Sequence, residues 1–287
     1  MKIGHNMYSL NLFRNYKQTI NENSKCLNNI SSGLKINSAK DNPNKIAQSD
    51  NLKLQILARD AATSNIQDTN SMFQTFDATL QEMNNSLSRL TQLTVSASTG
   101  TNAQEDLEVI QKEIDVIIND LDYLSSNTDF NGVKLSVKNP NAANGTVTDL
   151  NNPSTTKQSV IGELSGDKVT IPFYDLSSEG LNVQNIDVTK TNGAEEAMEK
   201  ISNATNIISN VRVKYGAIQS RLEDTYDSMS EITETITAAQ SKIADADIAE
   251  EMMDYARTNI LYQSAISLMA QSNNFPQDAL NILSSVK

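Results

Sequence analysis

Few residues in this chain are equipped for chemistry. One histidine, His5, stands among 287 residues, and it lies alone in a weak terminal helix where no catalytic role is expected of it. One cysteine, Cys26, closes no intramolecular disulfide, and with a single histidine the usual Cys/His zinc groupings are excluded. Cys26 reads most simply as a small interface hydrophobe. Asp245, Asp247, Glu250 and Glu251 invite comparison with a cation site. They lack the alternating oxygen ligands and turn glycine of a calcium loop, so a solvated polar face, or one shared between copies, is the expectation. Arg59, Arg212, Arg221 and Arg257 either pair with carboxylates between copies or are ordinary surface charge. No enzymatic activity, cofactor or metal is expected.

The elements around these residues explain the poverty of chemistry. Only 38% of the chain is hydrophobic, tryptophan is absent and aromatics make up 5%, which favours a thin, elongated arrangement over a large globule. Net charge is -12, and no Lys/Arg footprint is gathered for nucleic acid. The N-terminus lacks the apolar core and small-residue cleavage site of a secretory signal. No run approaches the ~18 apolar residues of a spanning helix. Cytosolic and exported destinations both remain open on composition.

The longest organised stretch is Ile201 to Ala246. Ile201, Ala204, Ile208, Val211, Tyr215, Ile218, Leu222, Thr225, Met229, Ile232, Ile236, Ala239, Ile243 and Ala246 alternate in spacing between three and four, a sustained heptad. Such a helix would be roughly 70 Å long and needs an equally long partner. Two partners are at hand. Phe73, Phe76, Leu80, Met83, Leu87, Leu90, Thr94 and Ala97 carry the same rhythm in a helix from about Pro43 to Ser98. Leu107, Ile110, Ile114, Ile117, Leu121 and Leu124 stripe a shorter one from Ala103 to Leu124. Asn102 is the expected cap, with Glu105 at capping-box spacing. The short connection at Gly100 makes these two antiparallel neighbours in a three-stranded bundle.

At the ends, Leu10, Phe13, Ile20, Leu27 and Ile30 make a diluted amphipathic helix, stable only when packed. It breaks at Ser32-Gly33 and again at Asn42-Pro43. Met252, Ala256, Ile260, Ala265, Leu268 and Met269 form a last helix that Pro276 ends or restarts. Between Phe130 and Asn192 the rhythm stops. Gln158–Ile161, Lys168–Ile171 and Asn185–Val188 read as short strands, in a β-rich insertion too poor in apolar residues for much of a core and with a solvated, tolerant surface. The expected fold class is mainly α: a long coiled-coil-like helical bundle with a small β-rich insertion, elongated.

Several of these segments resemble a known family. Ile3-Gly4-His5-Asn6, Leu10-Asn11 and Ser31-Ser32-Gly33-Leu34-Lys35-Ile36-Asn37, followed by Ala39 and Asp41, are similar to the N-terminal signature of bacterial flagellins. Asn127-Thr128-Asp129-Phe130-Asn131-Gly132 matches the segment closing that half. Gly216 to Leu222, Ser241 to Met252, Ile260-Leu261-Tyr262-Gln263 and Met269 to Asn273 match the C-terminal half. The resemblance covers roughly residues 1–135 and 195–287.

What the resemblance implies is a subunit of the flagellar filament, extracellular, exported unfolded by the flagellar type III apparatus without a cleaved signal peptide. It implies a division into 1–42, a filament-core helix paired with 243–287; 43–136 and 193–242, the two parts of the bundle domain; and 137–192, a variable outer domain. Leu10, Phe13, Leu27, Leu34, Met252, Ile260, Leu268 and Leu280 are then the expected assembly contacts. The expected partners are further copies of the chain, a flagellar export chaperone on the C-terminal helix, and the filament cap and hook-junction proteins. Arg89, Leu93 and Glu113 match the centre of a patch that a vertebrate Toll-like receptor recognises in the family, but Thr91 and Gln92 replace a basic and an acidic residue there. Loss of an arginine's five fixed donors would weaken such an interface. The turn Asp41 to Gln48 and the ending Ser284-Ser285-Val286-Lys287 also depart from the family pattern. A protease within the insertion would need His-Glu-x-x-His, and no histidine lies between Phe130 and Asn192. The alternative reading is a hook–filament junction protein or another secreted coiled-coil structural protein.

Overall fold

The computed structural model describes residues 7–138, 153–163 and 166–285, without the side chains of 275–280 and 282–285. The chain forms two compact units, Leu57–Thr233 and the combination of Met1–Ile56 with Glu234–Lys287. The fold is mainly α, with five helices and two small antiparallel strand pairs among the described residues: α1 Met7–Ser32, α2 Pro43–Ala97, α3 Gln104–Asn127, β1 Asp129–Phe130, β2 Val133–Lys134, β3 Thr155–Val160, β4 Lys168–Phe173, α4 Gly193–Ala244 and α5 Ile248–Ser285. No helix among the described residues is long and apolar enough to cross a membrane.

The unit from Leu57 to Thr233 is built on heptads. Ala62, Ile66, Thr69, Phe73, Phe76, Leu80, Met83, Leu87, Leu90, Thr94 and Ala97 of α2 are all buried, in unbroken three-four spacing. They meet Ile114, Ile118 and Leu121 of α3 and Ile201, Ala204, Ile208, Val211, Tyr215 and Leu222 of α4 in one core. Ring contacts of Tyr215 with Phe73 (5.2 Å) and Phe76 (6.5 Å) fix the register of α2 against α4. Arg212 reinforces it with a forked bond to Asp77, at 2.8 and 3.3 Å. The Arg89–Glu113 ion pair ties α2 to the antiparallel α3.

The turn between α2 and α3 differs from the expected capping. Ala103 is the N-cap of α3, and its N–H donates to Asp106 Oδ2 at 3.3 Å. Asn102 points the other way, donating Nδ2 to the Ser96 carbonyl at 2.7 Å. It closes the end of α2, where carbonyls lack helical partners.

The region after α3 is far from coreless, which corrects the sequence expectation. Asn131 and Gly132 both take positive φ (50° and 76°) in the two-residue turn joining β1 to β2, as a primed hairpin turn requires. In β4, Val169, Ile171 and Phe173 alternate inward and are buried, while β3 lies outside with mostly exposed side chains. Tyr215 donates its hydroxyl to the Pro172 carbonyl at 2.9 Å, pinning β4 to α4. Tyr174, Leu176, Leu181, Val183, Ile186 and Val188 are buried in the same core. The segment 185–188 is not a strand. Among the described residues no strand lies beside it, and Gln111 of α3 supplies what a neighbour would: Nε2 donates to Ile186 O at 2.8 Å, and Oε1 accepts from Val188 N at 2.9 Å. Apolar residues too scattered to show a period still reach the bundle, because the bundle provides the core they lack.

In the other unit α1 lies antiparallel to α5. Gly33, at φ 71°, ends α1 and donates its N–H to Asn29 O at 2.8 Å. The chain then runs briefly as a strand, with Leu34 bridged to Asp245, Lys35 N to Ala244 O (2.7 Å) and Ala246 N to Gly33 O (2.9 Å). Asn42 caps α2 by accepting from Lys45 N at 3.1 Å, and Pro43 takes the first helical position. Asp247 does the same for α5, accepting from Ala249 N at 2.9 Å and Glu250 N at 3.3 Å. Helix α5 continues through Pro276 to Ser285, although the proline was expected to interrupt it.

Candidate functional site

The α1–α5 pair is unusual in what it hides. The least exposed residues of α1 are Ser9, Leu12, Tyr16, Thr19, Asn23, Cys26, Asn29 and Ile30; those of α5 include Glu251, Tyr255, Thr258, Tyr262, Ala265, Met269 and Ser272. Both sets follow the heptad rhythm, but most members are polar. Ser9 Oγ donates to Asn273 Oδ1 at 3.1 Å, Asn23 Nδ2 to Thr258 Oγ1 at 3.1 Å, and Asn29 Nδ2 to Glu251 Oε1 at 2.9 Å. Between the first two, Tyr16 stacks on Tyr262 at 5.5 Å, and its phenol is raised by hydrogen bonding to that partner. Cys26 is buried beside Glu251, where burial first and the carboxylate second push its thiol up. A seam of this kind specifies register and orientation through its hydrogen bonds while contributing little hydrophobic energy.

Most of the large apolar side chains lie on other faces of the same helices. Leu10, Phe13 (51% exposed), Ile20 and Leu27 of α1, and Met252, Met253, Ile260 (66% exposed), Leu261, Ile266 and Leu268 of α5, face solvent. On α1 the stripe that the sequence displays is therefore displaced one residue from the stripe that packs. An isolated exposed leucine means little, but these ten, with Met7, Tyr8 and Ile248 also exposed on the same paired helices, are a surface awaiting cover.

Of the expected assembly residues, Leu10, Phe13, Leu27, Met252, Ile260 and Leu268 are exposed. Leu34 is half-buried in the bridge to Asp245, and the side chain of Leu280 lies outside the described residues, as do Ile3 to Asn6 of the N-terminal signature. The structure joins Arg89 to Glu113, with Nε donating to Oε1 at 3.0 Å, and buries Leu93 at 7% exposed. Three of the four acidic residues between Asp245 and Glu251 have separate tasks: Asp245 accepts from Ser241, Asp247 caps α5 and Glu251 holds Asn29. Arg59 and Arg212 pair within the chain, with Glu163 and Asp77. The polar seam residues, Asn23 and Asn29 above all, went unmarked in the sequence reading. The seven-residue spacing of Ser9, Tyr16 and Asn23 is the signal the sequence offers, and Asn29 falls outside it.

The bacterial flagellin N-terminal helical region matches residues 3–138, and the C-terminal helical region matches residues 198–283. A flagellin of Halalkalibacterium halodurans is 32% identical over 285 residues, spanning 99% of this chain and all of that protein. The chain belongs to the flagellin family. A Bacillus subtilis flagellin is 34% identical over 310 residues, again across 99% of this chain and the whole relative. A solved structure described as a flagellar hook-associated protein of Vibrio parahaemolyticus has a TM-score of 0.60 and 14% identity, covering 71% of this chain and 100% of that one. That likeness speaks for a shared fold alone. With full-length flagellins as relatives, a hook-junction identity is not favoured. The flagellin family is one of structural proteins.

Proposed function

We propose that this flagellin polymerises through the apolar faces of α1 and α5, so that the polar seam sets the geometry of each subunit and copies of the chain cover the rest. The protein is a structural subunit of the extracellular bacterial flagellar filament and serves motility. The observation carrying the assembly reading is the combination of a hydrogen-bonded intramolecular seam with Phe13, Ile260 and their neighbours exposed beside it. Burial of each such side chain is worth about 1.5–3 kcal/mol, and repetition along a polymer sums it. The test is electron microscopy of purified protein seeded with filament fragments. Full-length chain should extend the seeds, and chain lacking residues 250–287 should not, while its helical signal from 57–233 persists. Filaments built from the truncated chain would refute the proposal.

The remaining partners follow from family membership as proposals. An export chaperone on α5 would shield its apolar face before assembly, ahead of passage through the flagellar export apparatus. Cap and hook-junction proteins would offer matching helices at the filament ends. For a Toll-like receptor, the exposed part of the patch is the Arg89–Glu113 pair, with Leu93 beneath it. A receptor reporter assay comparing the native chain with Arg89→Ala decides this: equal background signal from both removes the receptor from the list of partners.

A further inference from the structure

Where the end of α3 meets the loops after β2 and β4, the unit from Leu57 to Thr233 carries a cleft of about 320 Å³ with a polar floor. Ser125, Asp175 and Ser178 line it and are only 2%, 3% and 2% exposed. Buried polar groups are normally satisfied, and two of the neighbouring arrangements obey this. Asp122 accepts from Ser178 N on one oxygen and from Ser178 Oγ on the other, both at 2.7 Å. Asp175 Oδ1 accepts from Ser177 N at 3.1 Å and Ser177 Oγ at 2.7 Å. Capacity remains on the same space: Asp175 Oδ2 and the Ser125 hydroxyl make no hydrogen bond among the described residues, Asp175 feels the charge of Lys138, and neither atom is sealed from solvent.

The unused groups define a ligand by elimination. A buried carboxylate on the floor disfavours an anion. A cation of the calcium type wants six or more oxygens, whereas both Asp122 oxygens are already bonded and the Lys138 ammonium stands at the rim, 3.1 Å from Glu179. An apolar guest would leave Asp175 and Ser125 unsatisfied at a cost of about 1–3 kcal/mol each. A neutral molecule rich in O–H donors suits all of these groups. The volume is at the lower end of the roughly 300–1,000 Å³ usual for ligand clefts, which sets the size at about one sugar ring. We propose that this cleft binds a monosaccharide-sized vicinal diol, which donates to Asp175 and exchanges a hydrogen bond with Ser125. The lining residues all belong to the unit from Leu57 to Thr233.

Saturation-transfer NMR on the full-length protein with glucose, galactose, mannose and N-acetylglucosamine tests this. At least one should bind saturably in the millimolar range. Asp175→Asn retains an acceptor for Ser177 while removing the anion, and it should weaken that binding by about tenfold. Ser125→Ala deletes only the unpartnered hydroxyl and should weaken it by a smaller factor, with circular dichroism unchanged. The proposal is overturned if none of the four sugars binds, if both variants bind as well as the native chain, or if calcium binds in the sugar's place and is lost in Asp175→Asn.

Discussion

Asn29 donates its side-chain amide to Glu251 at 2.9 Å while its own oxygen accepts from Asn37 at 3.0 Å. One buried amide thus joins α1, α5 and the strand-like link after α1. A bond to a charged acceptor is worth about 1.5–3 kcal/mol. Asn29→Ala should loosen the α1–α5 pair by that order, seen as faster amide exchange along α1 with no change between residues 57 and 233. Equal exchange in α1 would show that the seam does not depend on this contact.

The exposed apolar residues should behave oppositely to buried ones. Phe13→Ser and Ile260→Ser leave the monomer's unfolding free energy within about 0.5 kcal/mol, as surface changes usually do. Both should raise the protein concentration at which filaments form. Leu222→Ala, at a site of 0% exposure, should instead cost about 2–5 kcal/mol. Thermal denaturation paired with sedimentation of polymer distinguishes the two classes.

Gln111→Ala would strip the partners from Ile186 O and Val188 N at once. Each abandoned buried group costs about 1–3 kcal/mol, so the segment 185–188 should exchange its amides faster and become cleavable by protease. If the segment stays protected, burial of Ile186 and Val188 alone holds it in place.

Asp187 accepts from the Thr189 hydroxyl and N–H, at 2.6 and 3.0 Å, and from Lys190 at 2.9 Å. Thr189 first and Lys190 second hold its carboxyl down at about 2. A carboxylate depressed below its unfolded value of about 3.9 contributes stability that is fully present above that pH. The contribution is lost as pH falls from there through about 2. Carbon-detected NMR titration should place its midpoint near that lower value, and Asp187→Asn should abolish this part of the acid dependence. A midpoint near that of an ordinary aspartate would contradict the assigned contacts.

The heptads of α2 and α4 were readable without coordinates because each packs in a repeating environment. Phe73 to Ala97 and Ile201 to Leu222 lie where their spacing puts them. The strands around Ser159 and Thr170 were likewise found by local pattern. The segment around Ile186 reads as a strand in sequence but is a loop, since two apolar residues in alternation do not reveal whether a strand neighbour exists. At Asn102 the sequence points to an N-cap of α3, whereas the backbone path turns its amide to the end of α2 and leaves Asp106 to serve the start of α3.

Ordered motifs along the chain place it among the flagellins, and periodicity shows that it is mainly helical and where its apolar side chains recur. Periodicity and ordered motifs are local properties, and local properties survive in one dimension. Tertiary structure alone decided which face of α1 meets α5. Hydrophobicity marks Leu10, Phe13 and Leu27, but the seam closes through Ser9, Asn23 and Asn29. Directional hydrogen bonds require partners more than 200 residues away to be placed within about 3 Å, and no pattern along the chain encodes that distance. The same holds for the cleft at Asp175, whose lining residues come together only once the loops have packed on the bundle.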